Sequence, residues 1–222
     1  MNFKHLWWLL PILIMALLTP FLTVWDMEIE TFFYEEQFKP NAFYQFMYDF
    51  SIYPAQVVAI LAFFALVGSY ISPKWKKWRK PAMVLVLTMV VGAGFIVHTL
   101  LKDNWGRPRP KQLIEFGGKQ IFRPYYSPNF NNHIEPSKSF PCGHCTMGFY
   151  FFAVGLVLAR LGYRKWSYAS YIFAIFLGFA LGLTRMSQGG HYLSDVLMTG
   201  LIMWIVAIAF DWLIYSDEKG IA

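Results

Sequence analysis

Apolar and polar positions in this chain fall into long blocks, not the short alternations of a surface helix or a half-buried strand. Apolar stretches run from about Leu6 to Trp25, Pro54 to Ile71, Pro81 to Leu101, Cys145 to Leu161, Trp166 to Leu183 and Leu193 to Tyr215. At about 1.5 Å per residue such stretches are long enough to cross a hydrocarbon core of about 30 Å. The pattern predicts an all-α integral membrane fold of six transmembrane helices, one domain over residues 1–222. Leu17-Leu18-Thr19-Pro20-Phe21 does not read as a small-residue cleavage site, so the first stretch is taken as an anchored helix and not a removable signal peptide.

The polar segments differ from one another. Residues 26 to 53 carry Asp26, Glu28, Glu30, Glu35, Glu36 and Asp49 against Lys39, with aromatic residues throughout, which reads as an acidic segment at an interface. Lys74, Lys76, Lys77, Arg79 and Lys80 alternate with Trp75 and Trp78, and a second basic turn runs from Arg160 to Lys165. By the positive-inside rule both loops, the N-terminus and the C-terminal tail face the cytoplasm. The acidic segment, the long loop from Lys102 to His144 and the island Thr184 to Asp195 then face outward, away from the cytoplasm. Gly92 and Gly94, and the pair Gly178 and Gly182, read as sites of close helix packing.

Composition agrees with this picture: 57% hydrophobic and 14% charged residues exclude an ordinary soluble domain. Two cysteines, Cys142 and Cys145, cannot form a disulfide framework, so compartment is argued from topology. The net charge of +6 changes the picture through its placement. The outward-facing long loop carries Lys102, Arg107, Arg109, Lys111, Lys119, Arg123 and Lys138 against Asp103, Glu115 and Glu135. Cations kept on the disfavoured side point to an anionic ligand.

Three clusters stand at the outward ends of spans. Lys102-Asp103-Asn104-Trp105-Gly106-Arg107-Pro108-Arg109-Pro110 places three cations on an extended, proline-stiffened segment. Alone it also reads as a basic patch against lipid headgroups. Pro141-Cys142-Gly143-His144-Cys145 opens the fourth span, where free N–H groups and the helix dipole suit an anion. Arg185, His191 and Asp195 form the third cluster. With a helix beginning at His191, its imidazole and the Asp195 carboxylate share a face, and the carboxylate can orient a nucleophilic histidine. A structural hydrogen bond or a pair of metal ligands are the alternatives, but no further histidine or carboxylate is placed to complete a metal shell. Together the clusters supply what phosphoryl transfer without a metal requires: cations for the phosphate oxygens, a nucleophile and a general acid. No cofactor and no nucleic-acid partner is expected. His133 is assigned no role.

Lys102 and Arg109-Pro110 with six residues between them, Pro141-Cys142-Gly143-His144, and Arg185 followed by His191 and Asp195 resemble the three signature motifs of the type 2 phosphatidic acid phosphatase superfamily. The resemblance covers roughly residues 80 to 215. It implies a lipid phosphatase in which His191 becomes phosphohistidine, Asp195 orients it, and His144 protonates the leaving group. Lys102, Arg109, Cys142, Gly143 and Arg185 would hold the phosphate, with Arg107 as a further candidate. Cys142 stands where the family usually has serine, and a thiol donates weakly, leaving more of the task to N–H groups near Gly143. Within the superfamily, Arg185 to His191 and Met147-Gly148-Phe149 look most like bacterial lipid A phosphatases of the 4′ type. That resemblance implies an active site on the periplasmic side of a bacterial inner membrane, in agreement with the charge count, and favours lipid A or another anionic outer-leaflet phospholipid as substrate. Undecaprenyl pyrophosphate, phosphatidylglycerophosphate and lipid-to-lipid phosphotransfer are alternatives, as is thiol–disulfide exchange through Cys142 and Cys145; a structural or regulatory disulfide between the two is favoured over that exchange, because the outer compartment is oxidising.

Overall fold

The computed structural model describes residues 9–39, 41–130 and 137–217; Lys4, His133, Glu135 and the tail beyond Asp217 lie outside them. Helix α1 covers Leu9–Phe33. A minimal hairpin follows, β1 (Tyr34–Glu35) paired antiparallel with β2 (Gln37–Phe38). Helix α2 (Ala42–Phe50) is capped by Asn41, whose side chain accepts the Tyr44 N–H at 3.0 Å. Helix α3 (Tyr53–Ile71) begins with proline in its first turn, where no N–H is missed. A 3₁₀ turn at Pro73–Trp78 leads into α4 (Arg79–Leu87), which continues as a π-helix over Thr88–Lys102. Helices α5 (Cys145–Phe149), α6 (Phe151–Arg160), α7 (Arg164–Ser187) and α8 (Leu193–Ile214) complete the chain.

Among the described residues, five helical stretches are long and apolar enough to span a membrane: Leu9–Phe33, Ala42–Ile71, Pro73–Lys102, Arg164–Ser187 and Leu193–Ile214. The expected fourth span is a shorter apolar stretch, Cys145–Arg160, interrupted at Tyr150. Its position explains the difference. Helices α5 and α6 pack against α7 and α8, and Cys145, Phe149, Tyr150, Ala153 and Val157 are buried. An element enclosed by protein need not match the bilayer thickness. The outer surface is apolar, with Leu17, Phe21, Phe64, Phe176 and Trp212 all exposed, as lipid contact requires.

Small residues set the helix spacing. A Cβ on Gly148 would stand 2.3 Å from the Gly178 nitrogen, and one on Gly182 would stand 2.7 Å from Val196. Gly92 is pressed against Met203 and Val206, whereas Gly94 has only its own helix nearby. So Gly178, Gly182 and Gly92 serve packing as expected and Gly94 does not. At one end of the bundle α6 is tied to α8 by Arg160, whose Nε and Nη2 reach the Asp211 carboxylate at 3.1 and 2.8 Å.

The largest departure from the sequence expectation is α1. It does not stop at Trp25 but runs on to Phe33, and Asp26 and Glu30 are buried within it, not at an interface. Both lie on the helix face that also buries Met15 and Leu22, so the acidic pair continues the core-facing stripe.

Candidate active site

Helix α7 runs past the predicted end at Leu183 to Ser187, which fixes Arg185 in its last turn. Gly189 then reverses the chain at φ +59° with Phe38 of the hairpin packed on it, too close for any side chain. The carbonyl of Gly189 accepts the Lys111 N–H at 3.1 Å, which joins the long loop to this turn. Helix α8 begins at Leu193, not at His191, so the histidine sits just outside it. Its partner reaches it nonetheless. Asp195 Oδ2 accepts the Tyr192 N–H at 3.0 Å and faces His191 Nδ1 at 3.5 Å.

Both residues are fully buried, and Nε2 of His191 has no hydrogen-bond partner among the described residues. Burial, helped by the charges of Lys102 and Arg185, lowers the His191 pKa to about 3 against the opposing hydrogen bond and charge of Asp195. The imidazole is therefore neutral at ordinary pH, with a lone pair available on the ring.

The other two clusters converge here. A Cβ on Gly143 would stand 2.5 Å from His98 Cε1 and 3.1 Å from Lys102 Nζ, so the lysine ammonium lies against the Gly143 backbone. His144 follows, its ring stacked on Tyr48 of α2 with centroids 4.5 Å apart. The same tyrosine lies under Arg185, whose guanidinium carbon is 5.0 Å from the ring centre. Burial, then Arg185, Lys102, His98 and Arg109, lower the His144 pKa to about 4. The Nε atoms of Arg109 and Arg185 are buried and without a partner among the described residues. Lys102, Arg109 and Arg185 thus surround one small region with like charge, and a phosphate is the kind of group that would relieve it.

Arg107 and Cys142 occupy other places than the sequence suggested. Arg107 is fully buried with its guanidinium engaged: Nε donates to Arg123 O at 2.8 Å, Nη2 to Asp26 Oδ2 at 2.8 Å, and Nη1 to Asp195 Oδ1. It holds the aspartate behind His191. Cys142 is bonded to Cys145 in a disulfide, so it has no S–H to donate to a phosphate. Its N–H goes to Thr199 Oγ1 at 2.9 Å. Both sulfurs belong to residues with no exposed surface, which closes them to an attacking thiolate.

Hydrogen bonds tie the described part of the long loop together. Asn129 N–H donates to Trp105 O at 2.8 Å, Trp105 Nε1 to Tyr125 O at 2.8 Å, and Ser139 N–H to Arg107 O at 3.0 Å. Ser139 Oγ in turn donates to Asp195 Oδ2 at 2.6 Å. Among the described residues no group of three histidine, cysteine or carboxylate side chains is placed to hold a metal ion.

Asp26, Tyr48, His98 and Ser139 join the site without having been singled out in the sequence. Only Asp26 left a readable trace, its four-residue spacing from Leu22 and Glu30. Tyr48 and His98 sit in apolar, aromatic surroundings that read equally well as lipid-facing.

The family model described as "PAP2 superfamily" matches residues 81–218. The lipid A 4′-phosphatase of Francisella tularensis subsp. novicida (strain U112) is 34% identical over 177 residues, 79% of this chain and 76% of the relative. A lipid A 4′-phosphatase of Rhizobium leguminosarum is 29% identical over 165 residues, 73% of this chain and 68% of the relative. A lipid A 1-phosphatase of Rhizobium etli is 33% identical over 147 residues, 63% of this chain and 56% of the relative. No solved structure matches.

Proposed function

Because the chain belongs to the PAP2 superfamily, we propose that it is a multi-pass membrane phosphatase that removes a phosphate from lipid A through a phosphohistidine on His191. The convergence of Lys102, Arg185 and His144 on His191 and Asp195 carries this reading. Lipid A is favoured because relatives bearing that substrate in their names align over most of this chain. The basic Lys74 to Lys80 and Arg160 to Lys165 segments favour a cytoplasmic position for the opposite end of the bundle. The site would then face the periplasm of an inner membrane, with the outer-leaflet phosphate within reach.

Lys102, Arg109 and Arg185 hold the phosphate oxygens, with N–H groups at Gly143 beside them. His191 Nδ1 is directed to Asp195, so Nε2 attacks phosphorus. The N–P bond forms as the P–O bond to the lipid breaks, and His144 gives its proton to the departing oxygen. His144 then takes a proton from water, the water oxygen bonds to phosphorus, the N–P bond breaks and inorganic phosphate leaves. Supplying a lipid hydroxyl in place of water would turn hydrolysis into phosphotransfer. Phosphate release from lipid A in detergent, with chelator present, tests the reading with parent and His191→Ala proteins. Release that persists in the variant, or that stops with chelator, defeats it.

A further inference from the structure

Helix α1 lies before residue 81, where the family match begins, yet it sends a carboxylate into the network behind His191. Asp26 is 1% exposed. Its Oδ1 accepts the Ser194 N–H at 2.8 Å, and its Oδ2 accepts Ser194 Oγ at 2.6 Å and Arg107 Nη2 at 2.8 Å. Ser194 Oγ also accepts from Arg107 Nη1 at 2.8 Å. On the far side of Arg107, Asp195 Oδ1 takes a bond from Nη1, while Oδ2 is held by Ser139 and Tyr192 and faces His191. Hydrogen bonds thus run from α1 to Asp195, whose Oδ2 lies 3.5 Å from Nδ1 of the imidazole.

We propose that Asp26 is a positioning residue for His191, acting through Arg107 and Asp195. The proposal rests on the function stated above. A carboxylate in a membrane-spanning helix is strongly disfavoured unless it is paired, and such residues mark functional sites. Charge gives the reason here. Arg107 and Asp195 alone would cancel, leaving little negative potential for an imidazole that becomes positive as it attacks phosphorus. With Asp26 the three hydrogen-bonded groups keep one net negative charge next to His191. Asp26 also divides the guanidinium between two carboxylates and anchors the first turn of α8 through Ser194, which fixes the direction in which Asp195 points. Glu30 and the Tyr192 hydroxyl are the other titratable groups facing this cluster, neither with a hydrogen-bond partner among the described residues.

Asp26→Asn separates charge from capping, because the amide oxygen still accepts the Ser194 N–H. In the full-length protein in detergent, kcat for phosphate release is expected to fall about 10- to 100-fold with KM changed less than about twofold, the range for groups that orient a working imidazole. Nitrogen NMR of His191 at neutral pH is expected to find a single Nδ1-protonated tautomer in the parent and a mixture in the variant. Asp26→Glu keeps the charge and is expected to restore kcat to within about fivefold and to keep the single tautomer. Asp211→Asn, which breaks the ion pair with Arg160 at the other end of the bundle, is expected to leave kcat unchanged and measures the effect of losing a carboxylate as such. A parent that releases no phosphate from any lipid defeats the proposed function, while the tautomer comparison still decides the role of Asp26. An Asn variant with parental kcat and a single tautomer overturns the proposal, as does a folded Glu variant as slow as His191→Ala.

Discussion

Tyr48 lies flat against His144, ring centroids 4.5 Å apart and planes 20° from parallel, while its other neighbour is the Arg185 guanidinium at 5.0 Å. One side chain from the segment outside the family match therefore holds both the proposed general acid and a proposed phosphate ligand. A ring stack contributes about 0.5–1.5 kcal/mol and a cation–π contact about 0.5–1 kcal/mol. Tyr48→Ala is expected to lower kcat/KM about 5- to 50-fold, and Tyr48→Phe to stay near the parent, since neither contact uses the hydroxyl. Steady-state kinetics of the two variants check this. Equal losses in both would mean that the hydroxyl, not the ring, matters.

The double duty of His144 makes a kinetic signature. With a p-nitrophenyl phosphate ester the leaving group needs no proton, so His144→Asn still forms the phosphohistidine but loses the base for its hydrolysis. Turnover is expected to fall about 10²- to 10⁴-fold behind a burst of one nitrophenolate per protein. An acid-labile phosphoryl group on His191 should accumulate. Rapid-mixing absorbance and phosphate analysis of the quenched protein measure both, and a variant with neither burst nor phosphoprotein would remove His144 from the second step.

The pH behaviour of His144 follows from its surroundings. Burial and the cations Arg185 and Lys102 hold its pKa near 4 in the free protein. A nearby positive charge opposes protonation, so Lys102→Met should raise that value. Inorganic phosphate bound among the cations should raise it too, by cancelling their field and accepting a hydrogen bond from the imidazolium. The basic limb of kcat is then expected at higher pH than that of kcat/KM. NMR titration of the His144 ring with and without phosphate tests the sign directly; a downward shift on phosphate binding would contradict it.

Arg107 is the group whose loss should cost the fold most. Its removal leaves Asp26 and Asp195 buried and facing each other without a cation. Breaking a buried ion pair from one side typically costs about 3–5 kcal/mol, so Arg107→Met should lower the melting temperature in detergent sharply as well as abolish activity. Lys102→Met, whose ammonium is unpaired among the described carboxylates, is expected to melt at or above the parental temperature. Equal melting of the two variants would argue that Arg107 is a phosphate ligand after all.

The apolar runs alone determined the membrane fold, because burying some twenty apolar residues in lipid leaves the backbone no choice but helix. Motif spacing alone brought out Lys102, His144, Arg185, His191 and Asp195, because the chemistry needs those side-chain types in that order. Tertiary structure decided what lies behind and around them. Arg107 looked like one more cation for the phosphate until packing enclosed it between Asp195 and Asp26. Cys142 read both as a weak donor to phosphate and as one half of a disulfide, and the fold chose the disulfide with Cys145. Asp26 and Tyr48 lie far along the chain from the groups they serve, Asp26 from Arg107 and His191, Tyr48 from His144 and Arg185. A carboxylate's partner is set by what stands within a few ångströms in the folded chain, and no periodicity along the sequence encodes that distance.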